Sequence, residues 1–229
     1  MRQLYFISPQ KNKEKKVEDT FKAYLVEGAD FTKIEGYPKI EKWMIPDEVD
    51  EDIKIIPFRQ IKQVKNIEEY YICFYCRDKD FNCIRNNPSK YLNLFRRARG
   101  IIGFDFSVYS DMKPVMQKSQ LNANLSYSFY YGFRYISLIP NVRPGNDETL
   151  QDYLEAIPKR SVIAIGSYGC VNTKQEKQRF IHFLEQTLPK LKPKTVVVYG
   201  AMPDDVFGKF KDEYRFINVK PYISTVGGK

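Results

Sequence analysis

The stretch from Ser161 to Gly200 constrains the fold more than any other part of this chain. It opens with a β-branched run, Ser161–Ile165, and a glycine turn, Gly166–Gly169. After a helical pattern it closes with a second apolar run, Thr195–Tyr199. Two apolar runs joined by a helix of this length predict a βαβ unit. The two strands should pair in parallel through a right-handed connection.

Strand-like and helical patterns alternate from about residue 70 onward. The apolar runs are 71–75, 101–106, 135–139, 161–165, 195–199 and 216–219, and the helical patterns begin near Asn87, Pro114, Asn146, Thr173 and Asp204. The helix that begins near Pro114 should end at Gly132. This alternation predicts an α/β fold in which a mostly parallel sheet, built from βαβ units, is flanked by helices.

The first 66 residues follow no such alternation. Leu4–Ile7 could form a strand, and a helical stripe that includes Phe21 and Leu25 predicts a short helix. Prolines and the acidic run Asp47–Asp52 indicate an irregular, wrapping segment. We therefore assign residues 1–66 to a partly irregular N-terminal extension, residues 67–223 to the α/β domain and residues 224–229 to a loose tail.

Positive charge is the compositional feature that bears on partners. The chain has 37 Lys and Arg against 28 Asp and Glu, a net charge of +9, together with 17 Tyr and 16 Phe. Such a balance favours nucleic acid, an acidic protein face or a phosphorylated ligand, although a Lys-rich proteome explains it equally well. Tyr127, Tyr130 and Tyr131 can stack on bases if they are exposed, or else belong to the core.

The sequence predicts a cytoplasmic protein with no membrane contact. It has no run of about 18 apolar residues, which a membrane-spanning helix would need. The apolar stretch near its start is too short for the core of a signal peptide. Its four cysteines should then be reduced thiols unless they bind metal. Cys73, Cys76 and Cys83 are weak zinc candidates because the fourth ligand must come from Cys170 or His182. No cofactor is expected, and a divalent metal remains an alternative.

His182 is the only histidine in the chain. It lies opposite the apolar stripe of its predicted helix, so we expect it to be solvated. A single solvated histidine excludes a serine–histidine–aspartate triad and a three-histidine metal site. Whether the protein is an enzyme stays open, and the sequence leans against it because no motif matches a known reaction.

Polar side chains follow the predicted strands at the points where the strands end. They are Asp105, Tyr109 and Asp111 after the run at 101, Asn141 and Arg143 after the run at 135, Gly166, Ser167 and Gly169 after the run at 161, and Gly200, Asp204 and Asp205 after the run at 195. In parallel sheets, ligands bind beyond the carboxyl ends of the strands, so these residues predict a site at one rim. The alternative is that strand ends simply meet polar turns.

Asp105 and Asp111 are the candidate catalytic carboxylates, with Asp78 from a neighbouring loop as a third. Two acids on one rim can hold a divalent metal or act as base and acid. Helix capping by Asp111 and hydrogen-bonded burial of Asp105 are equally good explanations. Arg143 beside Asn141 can clamp an anionic group, or form a surface salt bridge.

The glycine turn is the most specific of these features. Gly166, Ser167 and Gly169 can present backbone N–H groups, and the capping-box pattern Thr173-x-x-Glu176 places a helix N-terminus just after them. Free N–H groups and the helix dipole favour a phosphate or carboxylate ligand. The turn matches neither the Rossmann fingerprint nor the Walker loop, so a plain tight turn remains the alternative.

A set of short motifs resembles an uncharacterised domain family that is common in bacteriophages and other mobile elements. The motifs are Ile56–Phe58, Asp78 with Phe81, Asn87–Pro88, Tyr91–Leu92, Asp105–Tyr109, Asp111–Met112, Gly132, Ile139–Pro140, Val162–Gly166, Lys192–Pro193 and Val198–Gly200. The resemblance spans roughly residues 55–205, and its Asp-Phe-Ser-x-Tyr-x-Asp-Met core is the specific part. It implies a genomic setting rather than a mechanism.

The chain departs from that family at two places. Where the family has an Asn- and Arg-rich helix, this chain has Gln120, Asn122 and Asn124. Where the family often has a Trp after its Ile-Pro strand, this chain has Arg143 and Pro144.

Two functions from different classes follow. The first is a phage or mobile-element accessory protein that binds a host or phage macromolecule, either protein or nucleic acid, through a basic, tyrosine-rich surface. The alternative is an enzyme or ligand-sensing domain that binds a phosphate-containing ligand at the strand-end rim, with or without a divalent metal. The sequence leaves the partner and the oligomeric state open.

Overall fold

A computed structural model describes residues 19, 21–109, 111–143 and 145–222 of the chain. The strands are β1 (Lys54–Pro57), β2 (Tyr70–Cys73), β3 (Gly100–Ile102), β4 (Leu138–Ile139), β5 (Val162–Gly166), β6 (Thr195–Tyr199) and β7 (Phe216–Val219). The strand predicted at Leu4–Ile7 and the tail at 224–229 lie outside the described residues. The strands and the helices that connect them confirm the α/β fold.

The helices occupy the connections between the strands. They are α1 (Asp78–Phe81), α2 (Cys83–Asn86), α3 (Leu92–Arg97), α4 (Pro114–Gly132), α5 (Asp147–Glu155), α6 (Lys174–Leu191) and α7 (Asp204–Phe207), with 3-10 turns at Ala23–Val26, Lys42–Met44, Phe58–Gln63, Ile67–Glu69, Pro88–Tyr91 and Gly208–Phe210. The long helix α4 has the predicted ends. No helix in the described ranges is both long enough and apolar enough to cross a membrane.

All strands run parallel and pair in chain order. One sheet has the order β1-β2-β3-β4 and the other has the order β5-β6-β7. A parallel bridge between Asn141 and Ala164 joins them, because the Val142 N–H donates to the Ala164 carbonyl and the Ala164 N–H donates to the Pro140 carbonyl, both at 2.8 Å. Connections between parallel neighbours are almost always right-handed, and with this strand order that rule expects the helices on one face of the combined sheet.

The combined sheet is strongly curled. The Tyr75 ring, two residues past β2, stacks on the Tyr199 ring at the end of β6, with the ring centroids 5.1 Å apart. Neighbouring strands lie about 4.8 Å apart, so in a flat sheet β2 and β6 would be roughly 19 Å apart. Contact across that interval requires the sheet to fold toward itself. The carboxyl ends of strands that are distant in sequence therefore converge on one rim.

The segment that leads into β1 crosses the opposite end of the strands. Ile45, Val49 and Ile53 are buried at about every fourth residue, and acidic side chains between them face outward. Asp47 pairs with Lys194 before β6, Asp50 with Arg99 before β3, and Glu51 with Arg215 before β7. The wrapping segment is thus an acidic strap, residues 45–53, and the sheet begins at Lys54, inside the range assigned to the extension.

Several predicted elements differ from the observed ones for local reasons. The run 135–139 pairs only at Leu138–Ile139, because Tyr135 has a positive φ of 61° and belongs to the turn that ends α4. The polar stretch after Cys76 contains α1 and α2 rather than a loop, since Phe81 and Ile84 are fully buried. The helix predicted from Asp204 ends at Phe207 and continues as a 3-10 turn.

The tyrosines of α4 belong to the core, which corrects the expectation of a tyrosine-rich surface. Tyr127, Tyr130 and Tyr131 are each at most 5% exposed. Tyr131 packs against Phe104 and Phe95, and its hydroxyl donates to the Pro88 carbonyl at 2.8 Å. These rings cannot stack on a base, because they fill the space between the sheet and the helices.

Candidate functional site

Asp105 and Arg143 form an ion pair at the carboxyl ends of β3 and β4. The Arg143 Nη1 donates to both carboxylate oxygens of Asp105, at 3.0 and 3.3 Å. The Asn141 Nδ2 donates to Asp105 Oδ1 at 2.8 Å and to the Phe104 carbonyl at 3.2 Å. The structure therefore brings together three residues that the sequence placed on one rim.

Tyr75 completes this arrangement from the far side of the curl. Its hydroxyl donates to Asn141 Oδ1 at 2.9 Å, which fixes the amide so that its nitrogen faces Asp105. The Tyr153 hydroxyl of α5 donates to the Asn141 carbonyl at 2.7 Å. We call Tyr75, Asp105, Asn141 and Arg143 the rim cluster. Its geometry is held by hydrogen bonds from three different parts of the chain.

Burial dominates the electrostatics of the rim cluster. Asp105 is 7% exposed, and desolvation raises the pKa of its carboxyl, while Arg143 and the Asn141 amide oppose that rise. The Asp105 carboxylate raises the pKa of Arg143 further above its ordinary value. Burial also raises the pKa of the Tyr75 phenol well above its usual range. At neutral pH the phenol is therefore a proton donor.

The other two candidate carboxylates are placed differently. Asp78, at the start of α1, accepts hydrogen bonds from the backbone N–H of Ser107 at 3.2 Å and from the Ser107 hydroxyl at 2.8 Å. Its charge raises the pKa of Asp105, so it belongs to the surroundings of the rim cluster. Asp111 is exposed and forms no side-chain hydrogen bond or ion pair with the described residues. The structure does not bring it to Asp105.

The glycine turn lies beside the rim cluster and is largely occupied by the protein itself. Gly166 is covered by the Tyr75 ring, and the buried Ser167 hydroxyl donates to the Ala201 carbonyl at 2.6 Å. Gly169 has a φ of 74°, which favours glycine. The Glu176 carboxylate accepts from the backbone N–H groups of Asn172 and Thr173 at 2.9 Å. The Glu176 side chain of this capping box therefore already occupies backbone N–H groups that a bound phosphate would need.

The cysteines do not form a cluster. Cys73 is fully buried within β2, Cys76 is partly buried, and Cys83 is exposed at the start of α2. Burial raises the pKa of the Cys73 thiol, and it raises that of Cys76 to about 11. Among the described residues, no group of three or more His, Cys, Asp or Glu side chains is arranged to hold a metal ion.

His182 is half exposed, as the helical pattern predicts, and its Nε2 lies 3.0 Å from Asp147 at the start of α5.

The strand-end pattern did not indicate Tyr75 or Cys170. Cys170 follows the glycine turn, and its thiol interacts electrostatically with Arg143 and Asp105. Tyr75 is the last residue of an apolar run. Had the last residue of each run been counted among the rim positions, the sequence would have indicated it.

The rim cluster presents oriented hydrogen-bond donors at the carboxyl ends of the strands. Asp105 and Asn141 hold the guanidinium of Arg143, whose side chain is 19% exposed. Its Nε is buried and makes no hydrogen bond with the described residues. Arginine held in this way by a carboxylate suits recognition of a second anion through its remaining N–H groups. Next to Asp105, the guanidinium occupies the position that a cation would need.

We expect Gly166→Ala to destabilise the domain by about 1–3 kcal/mol, the usual cost of overpacking. A Cβ at this position would lie 2.6 Å from the Tyr75 ring, which cannot move without leaving Tyr199 and Asn141. Urea unfolding measures the change. Gly208→Ala is the matched control, since its Cβ would meet no atom closer than 3.9 Å. Equal stabilities of the two variants would contradict the expected close contact.

Fold and site together define a parallel α/β domain with a curled sheet and a buried ion pair at its carboxyl rim. The chain belongs to the family described as Domain of unknown function (DUF4417), which matches residues 34–220. This match confirms the resemblance seen in the sequence and extends it at both ends.

A similar protein is the Gene 1 protein of Mycobacterium phage L5, which is 22% identical over 129 residues. The aligned region is 56% of this chain and 56% of that protein, so the chain spans little more than half of its relative. The domain thus has a relative in a bacteriophage. No solved structure matches the chain significantly.

Proposed function

We propose that this domain binds a phosphate- or carboxylate-bearing ligand at the carboxyl rim of its sheet, with Arg143 as the residue that contacts the anion. The observation that carries the proposal is the guanidinium itself. Its Nη1 is held by Asp105, whereas its Nε is buried without a partner among the described residues. Buried N–H groups are nearly always hydrogen-bonded, so an unpaired one on a side chain that is 19% exposed favours a ligand.

Binding fits the rim cluster better than nucleophilic catalysis does. Burial raises the pKa values of the Cys170 thiol and the Tyr75 phenol, so both keep their protons at neutral pH. A nucleophile is activated by the opposite shift or by an adjacent base. The rim cluster therefore offers hydrogen-bond donors in fixed positions rather than an activated nucleophile. The alternative to binding is acid–base chemistry, for which Asp105 and Asp78 are the candidate groups because Asp111 does not lie at the rim cluster.

Two exposed aromatic rings near the rim cluster favour a ligand with a planar ring attached to its phosphate. Tyr109 is 56% exposed, and its phenol interacts electrostatically with Arg143. Tyr168 is 62% exposed in the glycine turn after β5. Exposed tyrosines beside an arginine can stack on a base while the arginine holds the phosphate. A nucleotide is therefore the first ligand to test.

The test is calorimetric titration with inorganic phosphate and with a nucleoside monophosphate. We expect Arg143→Lys to weaken binding at least about tenfold, because lysine keeps the charge beside Asp105 but loses the fork of N–H groups. Arg179→Lys, an exposed position on α6, is the control and should bind as the wild type does. Absence of binding by the wild type, or equal binding by folded Arg143→Lys, would refute the proposal.

A second candidate function is binding of a host or phage macromolecule, and a separate observation favours it. The tyrosines of α4 are buried, but Trp43, Phe133 and Tyr135 are exposed together at the amino-terminal ends of the strands. The net charge of +9 suits an anionic partner. A pull-down from host lysate, with and without nuclease and in parallel with Asp105→Ala, tests this function. Recovery of no partner by the wild type, or loss of the partner in folded Asp105→Ala, would oppose it, because Asp105 lies at the other end of the strands.

A further inference from the structure

We infer that the surface at the amino-terminal ends of the strands binds single-stranded nucleic acid, and this inference rests on the second candidate function. Trp43, Phe133 and Tyr135 form an aromatic platform on this surface. The Trp43 ring lies 5.6 Å from the Tyr135 ring and 6.1 Å from the Phe133 ring, centroid to centroid. Their exposed fractions are 52%, 88% and 39% for Trp43, Tyr135 and Phe133. Clustered aromatic rings left open to solvent are typical of binding surfaces.

Tyr135 is held in a conformation that an aromatic residue rarely adopts. Its φ is 61°, and its N–H donates to the Gly132 carbonyl at 3.0 Å in the turn after α4. A left-handed conformation is unfavourable for a residue with a Cβ, and glycine or asparagine is the usual choice there. Because the ring gains almost no burial, packing within the domain does not explain the residue. Strain retained at an exposed aromatic favours a functional role.

The aromatic platform borders a shallow cleft of about 240 Å³, which Met44 and Ile136 help to line. A smaller cleft shares Ile45 and Pro46 with it and is also lined by Lys42, Arg160, and the ion pair that Lys194 forms with Asp47 of the acidic strap. Lys42 and Arg160 form no ion pair with the described residues. Rings and available cations thus adjoin on one surface.

This combination fits a single strand better than other anionic partners. Every base offers a π-face for stacking, and the backbone phosphates lie within reach of neighbouring cations. An acidic peptide would use the cations but leave the three rings without a matching group. A duplex keeps its base faces covered, so it could not use the platform either.

Trp43 gives a local readout because it is the only tryptophan in the chain. The probe is a single-stranded oligo-dT of about 20 nucleotides, a length that exceeds common site sizes. We expect saturable quenching of Trp43 fluorescence, and an affinity that falls as salt is raised. Lys42→Ala should lower the slope of log affinity against log salt by about one.

Tyr135→Gly separates binding from folding. Glycine adopts the φ of 61° freely, so the variant should be at least as stable as the wild type while it binds oligo-dT at least about tenfold more weakly. Met116→Ala and Lys113→Ala, both exposed near the start of α4, are controls that should bind normally. Equal affinity of Tyr135→Gly and the wild type would overturn the inference.

Three further outcomes also decide the matter. No quenching by oligo-dT, equally tight binding of duplex DNA, or stronger binding of polyglutamate would each overturn the inference. The phosphate titration of Arg143→Lys reports on the opposite end of the strands. The rim proposal and the aromatic-platform inference can therefore fail separately.

Discussion

Arg143→Met should lower the free energy of unfolding by about 3–5 kcal/mol at neutral pH. Asp105 is 7% exposed, and both of its carboxylate oxygens lie within 3.3 Å of the Arg143 Nη1. Methionine can fill much of the volume but cannot compensate the charge. The variant therefore has to bury an unpaired carboxylate or bind a proton on folding. Urea unfolding by circular dichroism measures the loss.

The loss should depend on pH in a fixed direction. In the wild type, burial already raises the pKa of Asp105 above its value in the unfolded chain, although Arg143 opposes the rise. A carboxyl with a raised pKa in the folded state stabilises the fold less as pH increases through that pKa. Removing Arg143 raises the pKa further. The difference between variant and wild type should thus shrink as pH is lowered from about 8 toward the unfolded value of about 4.

Asp105→Asn in the Arg143→Met background supplies the control. An amide carries no charge, so the double variant should recover part of the lost stability and lose the pH dependence of the difference. If Arg143→Met were equally destabilised at pH 5 and pH 8, the loss would come from packing rather than from the unpaired charge. If it were as stable as the wild type, the ion pair would contribute nothing.

Phe104→Ala should destabilise the domain by about 3–5 kcal/mol. The residue is 1% exposed and follows β3, directly before Asp105 in the chain. Its ring stacks on Phe74, with the centroids 3.9 Å apart, and on Tyr131 at 5.8 Å. Rings from two strand ends and α4 meet there, so the cavity left by alanine cannot close without moving several elements.

Urea unfolding again gives the magnitude, and the matched control is Phe21→Ala. Phe21 is 95% exposed, so its truncation should change stability by no more than about 0.5 kcal/mol. A second readout is oligo-dT or phosphate binding by Phe104→Ala well below its melting temperature. A Phe104→Ala loss below about 1.5 kcal/mol would show that the aromatic core repacks around the cavity.

Local patterns predicted the elements with regular spacing. Pro114 begins α4 because proline favours the first helical position, and Gly132 is the last residue of the helix, where a Cβ would lie 2.8 Å from the Met44 sulfur. The Thr173 and Glu176 capping box forms as the spacing indicates. The curl of the sheet escaped prediction, since it depends on Tyr75 meeting Tyr199 across 124 residues of chain. No pattern within a single element reports such a contact.

The sequence predicted three of the residues that meet at the rim, but it also placed there one residue, Asp111, that the structure does not bring to Asp105. Asp105, Asn141 and Arg143 follow strands that pair side by side, so sheet topology alone brings them together. Asp111 lies well beyond the end of β3 at Ile102 and just before α4 begins at Pro114, and the number of residues past a strand does not fix the direction of a side chain. Tyr127 and Tyr130 were ambiguous because tyrosine suits both a core and a surface.

The contact between Tyr75 and Tyr199 has a consequence for the order in which the protein assembles. Each strand pairs with the next one made, so the early βαβ units can associate while the chain is still emerging from the ribosome. Tyr75, however, finds its stacking partner only after residue 199 has been synthesised. Until then the ring that covers Gly166 and donates to the Asn141 amide lacks its stacking partner. The rim therefore takes its final form only after residue 199 has been made, and the anion binding proposed for it requires β6 as well as β2, β3 and β4.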